Sequence, residues 1–140
     1  MKKYLSLVLA ACLVSGCGFT KYYPGPRLED REIARIYYHF PIKLLRIDGS
    51  NAFLANDLQI HFLPGRHAIV LYYNVPLLGT GKSCTLEFDA EAGREYQILY
   101  EVTRPTWRAF LRKYANGYSA AEKKEPFSPD RDIPCKFSKD

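Results

Sequence analysis

The chain has 140 residues, a formal net charge of +5 at pH 7, and hydrophobic residues at 47% of its positions. This length is typical of one domain whose core is large enough to fold unaided. The small excess of positive charge does not favour nucleic-acid binding. Eleven Tyr and eight Phe, together with nine Gly and nine Pro, predict a β-rich domain with many turns.

The first residues have the features of a secretory signal peptide. Lys2 and Lys3 precede an apolar and small-residue run from 4 to 14, which ends at Val14-Ser15-Gly16-Cys17. Such a peptide has a positively charged start, a short apolar stretch and small residues at its cleavage site. The run is shorter than the ~17–25 residues that cross a bilayer, which argues against a permanent membrane helix. A small residue directly before Cys resembles the lipobox of bacterial lipoproteins.

The lipobox resemblance implies that the chain is cleaved between Gly16 and Cys17. It also implies a diacylglycerol thioether on the Cys17 sulfur and acylation of the new amino terminus. Gly18 follows, where lipoproteins retained at the inner membrane carry Asp, so we expect anchoring in the outer membrane on its periplasmic face. Since each buried methylene contributes ~0.8 kcal/mol, two or three acyl chains bind almost irreversibly. An ordinary signal peptide is the alternative.

The cysteines suggest one disulfide. Of the four, Cys12 leaves with the signal peptide and Cys17 carries lipid. Cys84 and Cys135 remain as an even pair in an oxidising compartment, where disulfides persist. Two buried or free thiols are the alternative. Neither residue lies in a C-x-x-C motif, so we predict no metal or redox site at either.

The domain organisation is predicted in four parts: a signal peptide at 1–16, a lipidated tether at 17–27, a β-sandwich at 28–120 and a charged, irregular tail at 121–140. Acidic residues at the start of 28–38 and an arginine near its end predict one or two turns of helix. Two-residue alternation predicts strands at 42–47, 58–62, 66–74, 83–89 and 94–102. The fold is therefore predicted to be mainly all-β, a small sandwich of about six to eight antiparallel strands with one short N-terminal helix.

Residues 106–114 carry two conflicting signals. Trp107, Phe110, Leu111 and Tyr114 have the spacing of one helix face. The turn dipeptide Asn116-Gly117 favours a hairpin instead.

Two segments resemble motifs of a broad group of Gram-negative lipoproteins with small PEGA-like β-sandwich domains. Residues 63–71 read LPGRHAIVL and residues 86–96 read LEFDAEAGREY. The resemblance extends to residues 23–34 and Trp107, and covers roughly residues 23–118. It implies a β-sandwich, with a strand and hairpin at 107–118, and it brings no catalytic residues. The Cys84 and Cys135 pair and the long tail depart from the pattern of this group.

The three histidines, His39, His61 and His67, have spacings that match no metal-ligand signature. We therefore predict no metal and no cofactor. His67 is expected to donate a ring proton to a backbone carbonyl at the Pro64-Gly65 turn.

Catalytic motifs are also missing from the sequence. No G-x-S-x-G is present, so no nucleophile elbow is predicted. Gly79–Lys82 superficially resembles a phosphate loop, but Pro76 stands where the motif requires Gly, which excludes nucleotide binding by this motif. Glu87 and Asp89 are best explained as a solvated strand face. No enzyme activity is predicted.

Basic and aromatic residues are interleaved near residue 107. The candidate site for an anionic ligand consists of Arg104, Trp107, Arg108, Arg112 and Lys113. Such a patch suits lipid headgroups, lipopolysaccharide phosphate or an acidic glycan, and a solvated strand face is the alternative. We expect a non-enzymatic interaction or envelope-maintenance module with a lipid anchor in the membrane and a protein partner. A binding domain for an anionic glycan or lipid is the second hypothesis.

Overall fold

A computed structural model describes residues 20–52, 59–74, 82–114 and 126–137. The predicted signal peptide, Cys17 and residues 121–125 lie outside this part of the chain. Within it, the secondary structure consists of eleven strands. Their bounds are β1 Thr20–Lys21, β2 Ala34–Tyr37, β3 Ile42–Ile47, β4 Ser50–Asn51, β5 Gln59–Phe62, β6 Gly65–Tyr73, β7 Ser83–Ala90, β8 Glu95–Thr103, β9 Thr106–Tyr114, β10 Asp132–Pro134 and β11 Lys136–Phe137.

The strands form two sheets, as predicted for an all-β sandwich. Sheet A has the order β1-β5-β2-β8-β9-β10, and sheet B has the order β11-β7-β6-β3-β4. The predicted number of strands was too low, and the pairing is not purely antiparallel. β1 pairs with β5 and β2 pairs with β8 in parallel. Parallel pairs join strands that are distant in sequence, so local alternation does not reveal them.

The core lies between the two sheets and follows the predicted alternation. Ile36, Ile60 and Phe62 of sheet A and Ile69, Leu71 and Leu86 of sheet B are each 0% exposed and belong to one cluster. Each such side chain contributes about 1.5–3 kcal/mol when it leaves water. β6 lies between β3 and β7 in the centre of sheet B.

The short helix predicted for residues 28–38 is wrong. The Glu32 amide donates to the Glu29 carbonyl at 2.9 Å in a turn, and the chain then enters β2. β2 lies between β5 and β8, which buries Ala34 and Ile36 completely. Pairing on both edges outweighs the weak helical charge pattern, because strand formation depends on tertiary neighbours.

Residues 106–114 form a strand rather than a helix. β9 pairs with β8 over its whole length, from Thr103 opposite Thr106 to Glu95 opposite Tyr114. Its core-facing side chains are Trp107, Ala109 and Leu111. The strand implied by the family resemblance is therefore present, while the proposed hairpin at 116–117 lies outside the described residues.

Both ends of the described chain belong to the sandwich, which corrects two predicted boundaries. β1 lies within the predicted tether, and Tyr23 after it is only 7% exposed. In the predicted irregular tail, β10 pairs with β9 and β11 pairs with β7. These segments are too short to show a clear alternation, and they are ordered by pairing with longer strands.

The predicted disulfide is present. Cys84 of β7 and Cys135, which stands between β10 and β11, are bonded with their Cα atoms 5.5 Å apart. The Cys135 amide also donates to the Ala109 carbonyl of β9 at 2.8 Å. The chain thus passes from sheet A to sheet B at a position that is bonded to both sheets.

Candidate functional site

The outer face of sheet A carries the candidate site. On β8, Tyr96 and Ile98 point into the core, so Gln97, Leu99 and Glu101 point to the other face of the sheet. Gln97 and Leu99 are nevertheless only 8% exposed each. Their burial shows that this face is covered and shaped rather than flat and solvated.

A groove of about 490 Å³ lies on this face. We call it the outer groove; its lining includes His39, Phe40, Gln97, Leu99, Glu101, Phe110 and Pro126. Leu99 and Phe110 face the groove from adjacent strands and are 8% and 2% exposed, whereas Phe40 is 74% exposed. The volume falls within the ~300–1,000 Å³ of typical ligand pockets. The groove therefore combines buried apolar side chains with an exposed aromatic residue.

The carboxylate of Glu101 is held by two donors. The Phe127 amide donates to its Oε1 at 2.7 Å, and the Arg108 Nε donates to its Oε2 at 2.6 Å. The hydrogen bond from the Phe127 amide lowers the pKa of Glu101 most, and Arg108 lowers it further. Burial raises the pKa, but by less than these contacts together lower it. This group therefore stays ionised near neutral pH, which makes it a poor proton donor.

A buried ion pair positions the wall of the outer groove. Arg112 donates through Nε and Nη2 to the two carboxylate oxygens of Asp132 at 2.8 and 2.7 Å, and Nη2 also donates to the Pro126 carbonyl at 3.0 Å. Burial raises the pKa of Asp132, but hydrogen bonds from Arg112 and the Ser128 amide outweigh it, so the pKa is lowered. The pair anchors Pro126 to β9.

The predicted anionic-ligand patch does not assemble. Because successive residues of a strand face opposite sides, Trp107 lies in the core and stacks on Tyr73 at 5.5 Å between ring centroids. Arg108 and Arg112 point to the outer face and are paired there. Lys113 pairs with Glu91 at 2.7 Å. Arg104 stands in the exposed turn between β8 and β9, apart from the others.

Sequence reasoning missed the residues that give the outer groove its shape. Phe40 lies between β2 and β3 and belongs to no recognised motif. Leu99 occupied an ordinary position of a predicted strand, and Phe110 was one of the residues with the spacing of a helix face. The partners of the cations were missed as well, because Asp132 is 20 residues from Arg112 in sequence. Apolar residues on both faces of β8 and β9 were the one available signal that the outer face is covered.

His67 makes the backbone contact that was predicted. Its Nε2 lies 2.8 Å from the Leu63 carbonyl oxygen. Its Nδ1 lies 2.7 Å from Asp48 Oδ2, a second contact that the sequence did not reveal. The ring packs against Phe62 and Phe88. His67 therefore ties the turn before β6 to the turn after β3.

The other two histidines lie elsewhere. His61 is buried on β5. Burial lowers its pKa most, and the positive charges of the nearby Arg27 and Arg35 lower it further. His39 lines the outer groove. Within the described ranges, no group of three or more His, Cys, Asp or Glu residues is placed to hold a metal ion. Glu87 and Asp89 point outward from β7 and are exposed.

Replacing His67 with Ala is expected to lower the melting temperature without changing the metal content. The substitution removes the ring's contacts with the Leu63 carbonyl and the Asp48 carboxylate. Both acceptors are exposed and can bind water instead, so each lost hydrogen bond costs about 0.5–1.5 kcal/mol. Thermal unfolding followed by circular dichroism measures the loss, and elemental analysis measures bound metal. The exposed His39 provides the control, and His39→Ala should change the melting temperature less. Stoichiometric zinc that disappears with His67 would contradict a structural role.

No protein-family model, curated protein or solved structure matches the chain. The resemblance to lipoproteins with PEGA-like domains thus remains a prediction from the motifs. The described ranges contain no helix that is long and apolar enough to span a bilayer.

Proposed function

We propose that this protein is a lipid-anchored β-sandwich on the periplasmic face of a bacterial outer membrane. It serves as a non-enzymatic binding module, and the outer groove holds an apolar side chain of an envelope protein. The signal-peptide pattern and the lipobox at Cys17 support the location. The disulfide between Cys84 and Cys135 agrees with an oxidising compartment.

The outer groove is the observation that carries the binding role. Leu99 and Phe110 lie on adjacent strands of a fully paired hairpin, so the apolar lining is rigid. Phe40 remains largely exposed beside them. Aromatic residues next to preformed apolar pockets are typical anchors of protein interfaces.

The chemistry of the groove favours binding over catalysis. Glu101 is the one carboxylate among the described lining residues, and its lowered pKa and two donors leave it unsuited to act as a general acid. The arrangement does not place a nucleophile beside a base within this lining.

A binding site for an anionic glycan on the predicted basic patch is less well supported. Arg108, Arg112 and Lys113 each pair with a carboxylate of this chain. An anionic ligand would have to displace these partners, and for Arg112 the displacement would leave the buried Asp132 without its counterion.

Photo-crosslinking in cells tests the proposed function. A photoreactive amino acid at the exposed Pro126 position, on the wall of the outer groove, should give one discrete adduct with an envelope protein. The matched control is Leu45 on sheet B, which is 41% exposed and should give none. Leu99→Ser should weaken the adduct at Pro126, because it removes apolar surface from the groove. Equal adducts at both positions, or none at either, would contradict the proposal.

A further inference from the structure

The distance between the lipidated cysteine and the first strand is short. β1 begins at Thr20, three residues after Cys17. Since a fully extended chain spans at most ~3.3–3.6 Å per residue, Cys17 lies within ~11 Å of Thr20. The folded domain is therefore held directly at the membrane rather than at the end of a long tether.

The register of sheet A shows which end of the domain this is. Thr20 pairs with Ile60, Ile60 with Ile36, and Ile36 with Tyr96, so these four residues form one row across the sheet. β1 runs antiparallel to β8 through these pairings. β1 therefore begins on the side of this row toward which β8 runs.

The hairpin between β8 and β9 reaches further than the anchor in this direction. From Tyr96 in the row of Thr20, β8 continues for seven residues to Thr103. At ~3.3 Å per residue this extension is ~23 Å, about twice the greatest reach of Cys17. If the strands of sheet A run along the membrane normal, the end of the hairpin therefore extends further toward the bilayer than the lipid attachment point at Cys17.

We propose that this hairpin end and Phe40 insert into the headgroup layer of the membrane that holds Cys17. We define the hairpin tip as residues 102–106. The inference rests on the proposed lipid anchor and adds a second contact between the protein and the bilayer. The occupant of this surface is phospholipid, because the anchor and the short chain after it bring lipid to this end.

The chemistry of the surface fits a lipid interface. Phe40 is 74% and Val102 is 38% exposed, and both place apolar groups where headgroups meet acyl chains. Arg104 is exposed at the hairpin tip and makes no ion pair within the described residues. Its guanidinium fork matches the geometry of a lipid phosphate. Glu101, the nearest acid on the hairpin, is paired with Arg108.

The chain carries its own probe for this contact. Trp107 is the one tryptophan of the sequence and pairs with Val102 at the base of the hairpin tip. The lipidated mature protein is reconstituted in phosphatidylcholine and phosphatidylglycerol vesicles, with or without bromine atoms on the acyl chains. A tip that enters the boundary by ~5–10 Å brings Trp107 near the bromines, so brominated vesicles should lower its emission by about half.

Negatively charged substitutions test whether the membrane contact is made by the hairpin tip and not by other parts of the surface. Val102→Asp combined with Arg104→Glu should restore most of the emission, with an unchanged circular dichroism spectrum. The control is Arg66→Glu, at the start of β6 at the opposite end of the sandwich, where the Arg66 side chain is 76% exposed. This substitution should leave the quenching unchanged. If the double substitution at the hairpin tip and Arg66→Glu change the quenching equally, the proposal is overturned.

Flotation of the same vesicles tests the lipid anchor separately from the insertion of the hairpin tip. A protein that fails to float with the vesicles contradicts the lipid anchor itself. A protein that floats but whose Trp107 is not quenched keeps its anchor and overturns only the insertion of the hairpin tip. Quenching together with flotation, lost on the double substitution at the tip, supports both.

Discussion

Replacing Cys17 with Ser is expected to move the protein from the membrane fraction to the soluble periplasmic fraction or to leave it as an unprocessed precursor. The thioether needs the Cys17 sulfur, and each acyl methylene that leaves the bilayer removes ~0.8 kcal/mol of binding free energy. The effect is therefore close to complete rather than graded. Fractionation of cells and mass spectrometry of the amino-terminal peptide measure it.

Cys12 provides the matched control for this experiment. It lies five residues earlier, inside the predicted signal peptide, so Cys12→Ser should leave processing, acylation and membrane association unchanged. If the Cys17→Ser protein remains in the membrane fraction and is still cleaved at the same bond, the lipobox interpretation is wrong.

Removing the disulfide is expected to lower the free energy of unfolding by about 4 kcal/mol, because the bridge restricts a long loop in the unfolded chain. Cys84 and Cys135 are 51 residues apart in sequence. Both are buried, so the bond also holds β10 and β11 against the sheets. Denaturant unfolding of the mature protein with and without reductant measures the change, and reductant should also expose the chain beyond residue 116 to protease.

The double variant Cys84→Ala and Cys135→Ala controls for other effects of the reductant. Its unfolding curve should match that of the reduced wild-type protein and should not respond to reductant. Alkylation of two thiols in the unreduced mature protein would show that the bridge is absent.

The outer groove and the hairpin tip lie at neighbouring parts of the domain. Phe40 belongs to both proposals, since it lines the groove and follows β2 at the end of sheet A where β1 begins. A protein bound in the groove would therefore sit close to the bilayer. This geometry suits a partner that is itself attached to, or embedded in, the same membrane.

The candidate site was only partly predictable. Adjacent basic and aromatic residues were interpreted as one patch, but neighbours in a strand face opposite sides. Trp107 thus entered the core while Arg108 and Arg112 found carboxylates on the outer face. Arg104 alone keeps a role in contact with an anionic group, and its proposed partner is a lipid phosphate.

Local alternation was enough to predict the sandwich and much of its core. In β7, Cys84, Leu86 and Phe88 are buried while Glu87 and Asp89 are exposed, as their two-residue period required. The turn contact of His67 was also predictable, since its partner at Leu63 is four residues away. Features of this kind depend on a few consecutive residues, whose side-chain directions follow from the strand geometry.

The amino-acid sequence by itself determined the all-β class, the facing of the long strands and the pairing of Cys84 with Cys135 as a candidate disulfide. Only the tertiary structure decided that residues 34–37 form a central strand, that residues 132–137 complete both sheets, and that Arg112 pairs with Asp132. These outcomes depend on contacts between segments far apart in sequence. Strand pairing on both edges, or an ion pair with a residue distant in sequence, outweighs local conformational preferences. The sequence of one segment does not specify which distant segment it will contact.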